Sequence, residues 1–110
     1  MKTLKFQITN EVTERPRHPR WTQFQPTGQC EEVNFAIDDY RKAIYEFDET
    51  CKDEKDNICN GYWREYQHRG VLVTLALVEV DEDGYEERIE VLDSYEFTID
   101  DAKKEQEKDE

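Results

Sequence analysis

The chain has 110 residues, of which 35% are apolar and 39% are charged, and its 28 acidic residues against 15 basic ones give a formal net charge of -13. This length provides for one domain with one core, and an aromatic content of 12% is higher than disordered chains usually have. No apolar run reaches the roughly 18 residues of a membrane-spanning helix, and the N-terminus lacks the apolar segment of a secretion signal.

The first predicted element is a short strand over residues 3–9. Leu4, Phe6 and Ile8 share one face of an extended chain there, and polar residues occupy the other face. Residues 10–30 contain all three prolines, and each proline favours extended geometry in the residue before it. We therefore expect a long, basic, proline-containing loop after the first strand.

An amphipathic helix is predicted over residues 34–56. Apolar residues recur there at alternating intervals of four and three positions, which is the spacing of one helical stripe. Asn60 and Gly61 provide a stop signal beyond the helix. The residues of the stripe are Val33, Ile37, Tyr40, Ile44, Phe47 and Cys51.

Three strands are predicted after Gly61. Residues 62–68 are polar and aromatic, residues 71–80 form the most apolar run and the predicted central strand, and residues 85–99 form the last strand. A three-residue loop over 82–84, with its glycine in the left-handed conformation, joins the last two strands. In that register Ile89 and Val91 would face Leu77 and Leu75.

These elements predict an α+β fold in the order β–loop–α–β–β–β. Residues 1–100 would form one small domain, with an antiparallel sheet of about four strands and one long helix packed on it. Residues 101–110 are nearly all charged or polar, and we expect a flexible C-terminal tail there.

Two groups of carboxylates are candidate binding residues. On the helix, acids opposite the apolar stripe span about 25 Å at a rise of roughly 1.5 Å per residue. One DNA strand carries a phosphate about every 3.4 Å, so the acids form a sparse counterpart of that backbone. The helical acids are Asp39, Glu46, Glu49, Asp53 and Asp56, and the sheet and turn would add Glu79, Asp81, Glu82, Asp83, Glu87, Glu90 and Glu96.

The alternative for these acids is ordinary solvation, because Lys42, Lys52 and Lys55 lie within ion-pairing distance along the helix. The net charge favours binding, because it exceeds the magnitude of about 2–8 that keeps a small domain soluble.

The proline-containing loop carries a basic arm followed by two aromatic residues: Arg15, Arg17, Arg20, Trp21 and Phe24. The 28 acids of the chain would repel nucleic acid, so direct binding to it is not expected. The arm either folds back onto the protein's own acids or reaches an acidic patch on a partner. The two aromatic residues either anchor an interface or cover the core.

No enzymatic or metal-binding signature is present. The sequence has no phosphate loop, no G-x-S-x-G and no H-E-x-x-H motif, so we do not expect an enzyme. Cys30, Cys51 and Cys59 are an odd number without framework spacing, which is typical of reduced thiols in a cytoplasmic protein. The interval between Cys51 and Cys59 does not match the close pairs of structural zinc sites, so no metal or other cofactor is predicted.

In charge, size and complexity of fold, the chain from Glu31 onward resembles the small acidic inhibitors of phages and mobile elements, which occupy the nucleic-acid groove of restriction or CRISPR proteins as DNA mimics. The resemblance implies a non-enzymatic inhibitor of the anti-CRISPR or anti-restriction type, with a basic nucleic-acid-binding protein as its partner. Such an inhibitor would act in the cytoplasm of a host cell as a monomer or homodimer, and we expect no association with a membrane. The alternative is an accessory interaction module that docks through Trp21 and Phe24, with the acids serving solubility.

Overall fold

A computed structural model of the protein describes residues 2–15, 23–60 and 69–108. Within these residues the elements are, in chain order, β1 (Thr3–Glu14), β2 (Gln25–Ala36), a 3-10 turn (Ile37–Asp39), α1 (Tyr40–Cys59), β3 (Arg69–Val80), β4 (Glu86–Thr98) and α2 (Ile99–Lys108). The strands described form one antiparallel sheet in the order β2-β1-β3-β4, with a long helix on one face. The α+β class and the antiparallel sheet with one long helix agree with the prediction, although β2 is not among the predicted strands.

The core lies between α1 and the two central strands, β1 and β3. Side chains alternate across a strand, so one set from each strand faces the helix and the other set faces away. We call the side of the sheet away from α1 the open face. No helix in the described part of the chain is both long and apolar enough to cross a membrane. The buried cluster is Phe6, Ile8, Ala43, Phe47, Ile58, Val71, Val73, Leu75, Phe97, Ile99 and Ala102.

The N-terminal third departs from the predicted order, because most of the predicted loop is strand. Residues 10–14 extend β1, and residues 25–36 form β2, which pairs antiparallel with β1. Val33 lies in β2 opposite Ile8, so the predicted helix start at residue 34 is wrong and α1 begins at Tyr40. The predicted strand over residues 62–68 lies outside the described residues.

The predicted flexible tail is also wrong over most of its length, because α2 begins at Ile99 and continues to Lys108. Ile99 and Ala102 are only 1% and 2% exposed, and both belong to the core. The backbone N–H of Thr98 donates to Asp101 Oδ2 at 2.9 Å, and the backbone N–H of Asp101 donates to Thr98 Oγ1 at 3.4 Å. This reciprocal capping and the two buried residues order a helix that is otherwise charged.

The turn between β3 and β4 has the predicted three-residue loop. The Asp81 N–H donates to the Tyr85 carbonyl at 3.0 Å, and Gly84 has a φ of +82°, the left-handed conformation that favours glycine. The predicted register beyond the turn is wrong, because it shifts twice: Val91 pairs with Ala76 instead of Leu75. Each shift leaves one residue of β4 without a partner, as in a β-bulge, and local turn chemistry does not specify bulges.

Gly70 lies where the strands approach too closely for a side chain. A Cβ at this position would stand 2.6 Å from Thr13 Oγ1 and 3.2 Å from the Phe97 carbonyl oxygen. Because overpacking forces backbone shifts, we expect Gly70→Ala to lower the free energy of unfolding by about 1–3 kcal/mol in urea denaturation. Thr13→Ala removes the nearest atom, so Gly70→Ala should cost less in that background. An unchanged urea midpoint for Gly70→Ala alone would contradict this packing.

Candidate partner-binding surface

Contacts at the C-terminal half of α1 fix the rotation of the helix about its axis. Asn10 Nδ2 of β1 donates to Glu54 Oε1 at 2.9 Å. On the adjoining flank, Lys55 Nζ lies 5.7 Å from the centre of the Phe97 ring in β4 and 2.9 Å from Glu105 Oε1 in α2. The Glu54 side of α1 therefore faces β1 and β2, and the Lys55 side faces β4 and α2.

This rotation divides the predicted helical acids between two positions. Glu46 lies beside Phe35 of β2, and Asp39 lies in the 3-10 turn before α1. Glu49, Asp53 and Asp56 follow one another at intervals of four and three residues, on the side of α1 opposite its buried residues. We call Glu49, Asp53 and Asp56 the outer ridge. Its carboxylates are about 6 and 4.5 Å apart along the helix axis at a rise of roughly 1.5 Å per residue.

Little positive charge compensates the helical acids. Lys42 Nζ lies 3.9 Å from Asp39 Oδ1, and Lys52 Nζ lies 3.8 Å from Glu49 Oε1. Both pairs join solvent-exposed side chains at the outer limit of an ion pair, where the interaction contributes little. Within the described residues, Glu46, Asp53 and Asp56 form no ion pair.

The predicted sheet acids collect at the turn end of β3 and β4, which we call the hairpin tip and define as residues 79–90. The tip has seven acidic residues and one basic residue. Two of the predicted acids serve the fold. Asp81 Oδ1 accepts the backbone N–H of Asp83 at 3.0 Å and that of Tyr85 at 2.8 Å. Glu79 Oε1 lies 3.1 Å from Lys2 Nζ, and this hydrogen bond raises the pKa of Lys2.

Other tip acids remain available. Glu87 and Glu90 are exposed and, among the described residues, form no ion pair.

Sequence reasoning missed Glu86, which accepts hydrogen bonds from Lys5 and from Gln7 Nε2; these bonds lower the pKa of Glu86. A glutamate next to two other acids gives no sequence signal for such a bond.

The outer ridge and the hairpin tip are separate patches, so the structure does not bring the predicted acids into one edge. The Tyr40 ring at the start of α1 lies 5.1 Å from the Phe6 ring, and Phe6 pairs with Leu77. Glu79 lies two residues further along β3, beyond the start of the helix. Glu87 and Glu90 pair opposite Glu79 and Leu77, on the face that carries α1, whereas Glu96 pairs opposite Leu72 on the open face.

Only part of the predicted basic arm falls within the described residues; Arg17, Arg20 and Trp21 lie outside them. Arg15 forms an ion pair with Asp100 of α2, and its guanidinium carbon lies 5.0 Å from the centre of the Phe24 ring. Phe24 is half-buried and packs against the core. For these two residues, the intramolecular alternative is the one that the structure adopts.

The three cysteines are free thiols. Burial raises the pKa of the Cys51 thiol to about 11, with smaller contributions from Asp48 and Asp93. Burial also raises the pKa of Cys30 and of Cys59, so none of these thiols is a ready nucleophile at neutral pH. The structure describes neither histidine, and within the residues it does describe no group of three or more His, Cys, Asp or Glu side chains is placed to hold a metal ion.

Two depressions beside β2 are features that the sequence analysis did not find, because it assigned Val33 to the helix. At one end a depression of about 290 Å³ is lined by Phe35, Arg41, Lys42, Tyr45 and Glu46. At the other end a depression of about 170 Å³ is lined by Asn10, Val12, Cys30, Glu31, Glu54 and Arg69. Val33 lies between Glu31 and Phe35 on the same side of β2 and is 50% exposed. We call these two depressions, together with Val33 between them along β2, the β2 groove.

Thiol alkylation tests the environment of Cys51. We expect iodoacetamide at about pH 8 to modify the exposed Cys30 first, and Cys51 at least about tenfold more slowly, because the thiolate is the reactive species. Peptide mass spectrometry at timed intervals measures both rates. In urea the two rates should converge. The Cys30→Ser variant, which should lose only the fast reaction, provides the control. Equal rates in the folded protein would refute the half-buried position of Cys51.

No protein-family model, no curated protein and no solved structure matches this chain.

Proposed function

We propose that this protein is a non-enzymatic inhibitor that binds a basic, nucleic-acid-binding protein and competes with nucleic acid for it. The observation that carries the proposal is the set of exposed carboxylates on the outer ridge and the hairpin tip, which have few ion-pair partners. They belong to a chain whose formal net charge is -13. A cationic groove would relieve the mutual repulsion of these carboxylates and attract them over a distance.

The spacing of the outer ridge supports the comparison with a nucleic-acid backbone. Successive ridge carboxylates lie about 4.5–6 Å apart along the axis, from a rise of roughly 1.5 Å per residue. Phosphates of one DNA strand lie about 3.4 Å apart along the duplex axis. The ridge therefore has a lower linear charge density than DNA, and the hairpin tip would add a second line of contacts.

On the basis of the resemblance in composition, we propose a partner among restriction and CRISPR proteins, whose grooves hold nucleic acid. The inhibitor would then act in the cytoplasm of the cell that contains the partner. The alternative, docking through Trp21 and Phe24, is weakened because Phe24 packs against the core.

Charge reversal on the outer ridge tests the proposal. A panel of purified restriction and CRISPR effector complexes, each bound to fluorescently labelled duplex, is titrated with this protein while anisotropy reports the release of DNA. We expect wild type to release DNA from at least one member, and to do so less well as salt rises from about 50 to about 200 mM. The triple variant Glu49→Lys, Asp53→Lys, Asp56→Lys should inhibit at least about tenfold less well, because three favourable charges become repulsive.

A matched control separates the ridge from net charge alone. Glu11→Lys, Glu32→Lys and Glu96→Lys change the charge by the same amount, but these residues lie on the open face. The control triple should retain most of the inhibition. Equal loss in both triples would show that the ridge has no specific part, and release of DNA that is independent of salt would refute the electrostatic mechanism. Circular dichroism confirms that both variants are folded.

A further inference from the structure

The two outer strands of the sheet differ in how regular their free edges are. β4 shifts register twice against β3, between Leu75 and Ala76 and between Leu77 and Val78. Such bulges twist an edge strand and hinder the addition of another strand. β2 pairs with β1 without a shift from Cys30 to Ala36. Of the two edges, β2 is therefore the one whose geometry suits strand addition.

The same stretch of β2 has neither of the two residue types, proline and lysine, that most often protect an edge. Residues 30–36 contain no proline and no lysine, and all of their side chains are exposed or half-buried. Among the described residues, no strand pairs with the outer side of β2. An edge of this kind presents unpaired backbone donors and acceptors to any extended segment that fits beside it.

The β2 groove runs beside this edge and alternates in chemistry at the spacing of a strand. Glu31, Val33 and Phe35 face the α1 side, because they pair with Asn10, Ile8 and Phe6 of β1. In a strand, alternate residues lie about 6.6 Å apart, so Glu31 and Phe35, each of which lines one depression, are about 13 Å apart along β2. An extended segment would therefore place residues i, i+2 and i+4 over the polar depression, over Val33 and over the aromatic depression.

The charges and aromatic rings of the groove indicate which side chains a bound segment would present to it. The polar end has two carboxylates, Glu31 and Glu54, against one guanidinium, that of Arg69. The other end has two aromatic rings, Phe35 and Tyr45, beside two cations. A lysine or arginine complements the first end, and an aromatic side chain stacks at the second.

We propose that β2 binds an extended segment of a partner protein as an added antiparallel or parallel strand, with a Lys or Arg, a β-branched residue and an aromatic residue at alternate positions. A second copy of this chain does not fit the edge, because β2 has two glutamates and no basic residue, and each copy carries a net charge of -13. The proposed contacts are with the edge and exposed side chains of β2 and do not include Glu49, Asp53 or Asp56, so the inference stands whether or not the proposed function is correct.

Short peptides test the inference directly. The probes are Thr-Lys-Thr-Val-Thr-Phe-Thr and its reverse, Thr-Phe-Thr-Val-Thr-Lys-Thr, which cover both strand directions. Two-dimensional NMR of the isotope-labelled full chain follows the amides during titration. We expect at least one peptide to shift the amides of residues 31–36 with a dissociation constant of about 0.1–1 mM, as is reasonable for a short, flexible segment that is ordered on binding.

Variants with matched exposure locate the site. Val33→Arg should weaken binding at least about tenfold by blocking the middle of the groove. Ile89→Arg is the control, because Ile89 is also 50% exposed but lies on the other outer strand, and it should bind the peptide as wild type does. Glu31→Lys should reverse the preference of the site, so that a peptide with Glu in place of Lys binds better than the original peptide.

Four outcomes would overturn the inference. The first is no amide shift with either peptide at about 5 mM, which is well above the expected dissociation constant. The second is a set of shifts confined to β4, and the third is equal affinity of the wild-type protein for the Lys and Glu peptides. The fourth is a set of shifts in β2 that depend on protein concentration in the absence of peptide. The last outcome would identify a second copy of the chain as the occupant of the edge. Confirmation requires shifts on β2, their loss in Val33→Arg and their retention in Ile89→Arg.

Discussion

The pairing of β1 with β3 is the interaction on which the rest of the structure depends. Every residue of β1 from Thr3 to Glu14 pairs with β3 without a shift in register. This register places Phe6 and Ile8 beside Leu77 and Leu75, beneath α1, and turns Lys5 and Gln7 to the open face. Because side chains alternate, a slip of one residue would exchange the two faces and leave α1 without an apolar surface to cover. The edge strands add to this central pair, and each retains a free side among the described residues.

Charged side chains on the open face take the place of a second covering layer. Val78 is only 2% exposed, although no helix in the described part of the chain lies over it. Lys5, from β1, reaches across β3 to pair with Glu86 of β4, and Gln7 donates to the same carboxylate. The aliphatic stem of a lysine covers apolar surface while its charged end remains in contact with water or with a carboxylate. A chain with few apolar residues can bury its central strand on both sides in this way.

The acids consequently divide into those that hold the fold and those that remain available to a partner. Asp81 closes the hairpin turn, Asp101 caps α2, and Glu86 spans the open face. Among the described residues, the outer ridge and Glu87 and Glu90 of the hairpin tip have no such contact, and their repulsion is a cost that the folded chain carries. This division is the physical basis for assigning them to a basic partner. The β2 groove offers a different kind of contact, in which backbone pairing and alternate side chains select an extended segment.

The sequence by itself determined the features whose signals are local. The glycine of the 82–84 loop specified a left-handed turn position, and the β-branched run of β3 specified a central strand. Only tertiary pairing decided where β2 ends and α1 begins. The four-residue interval from Val33 to Ile37 fits a helix as well as an alternating strand, and pairing with β1 made residues 25–36 a strand. The same is true of α2, whose Ile99 and Ala102 gain their stability from a core that the tail alone does not show. The edge of β2 and its groove arise from that choice, because hydrophobic burial and strand pairing are properties of the assembled sheet and not of any single segment.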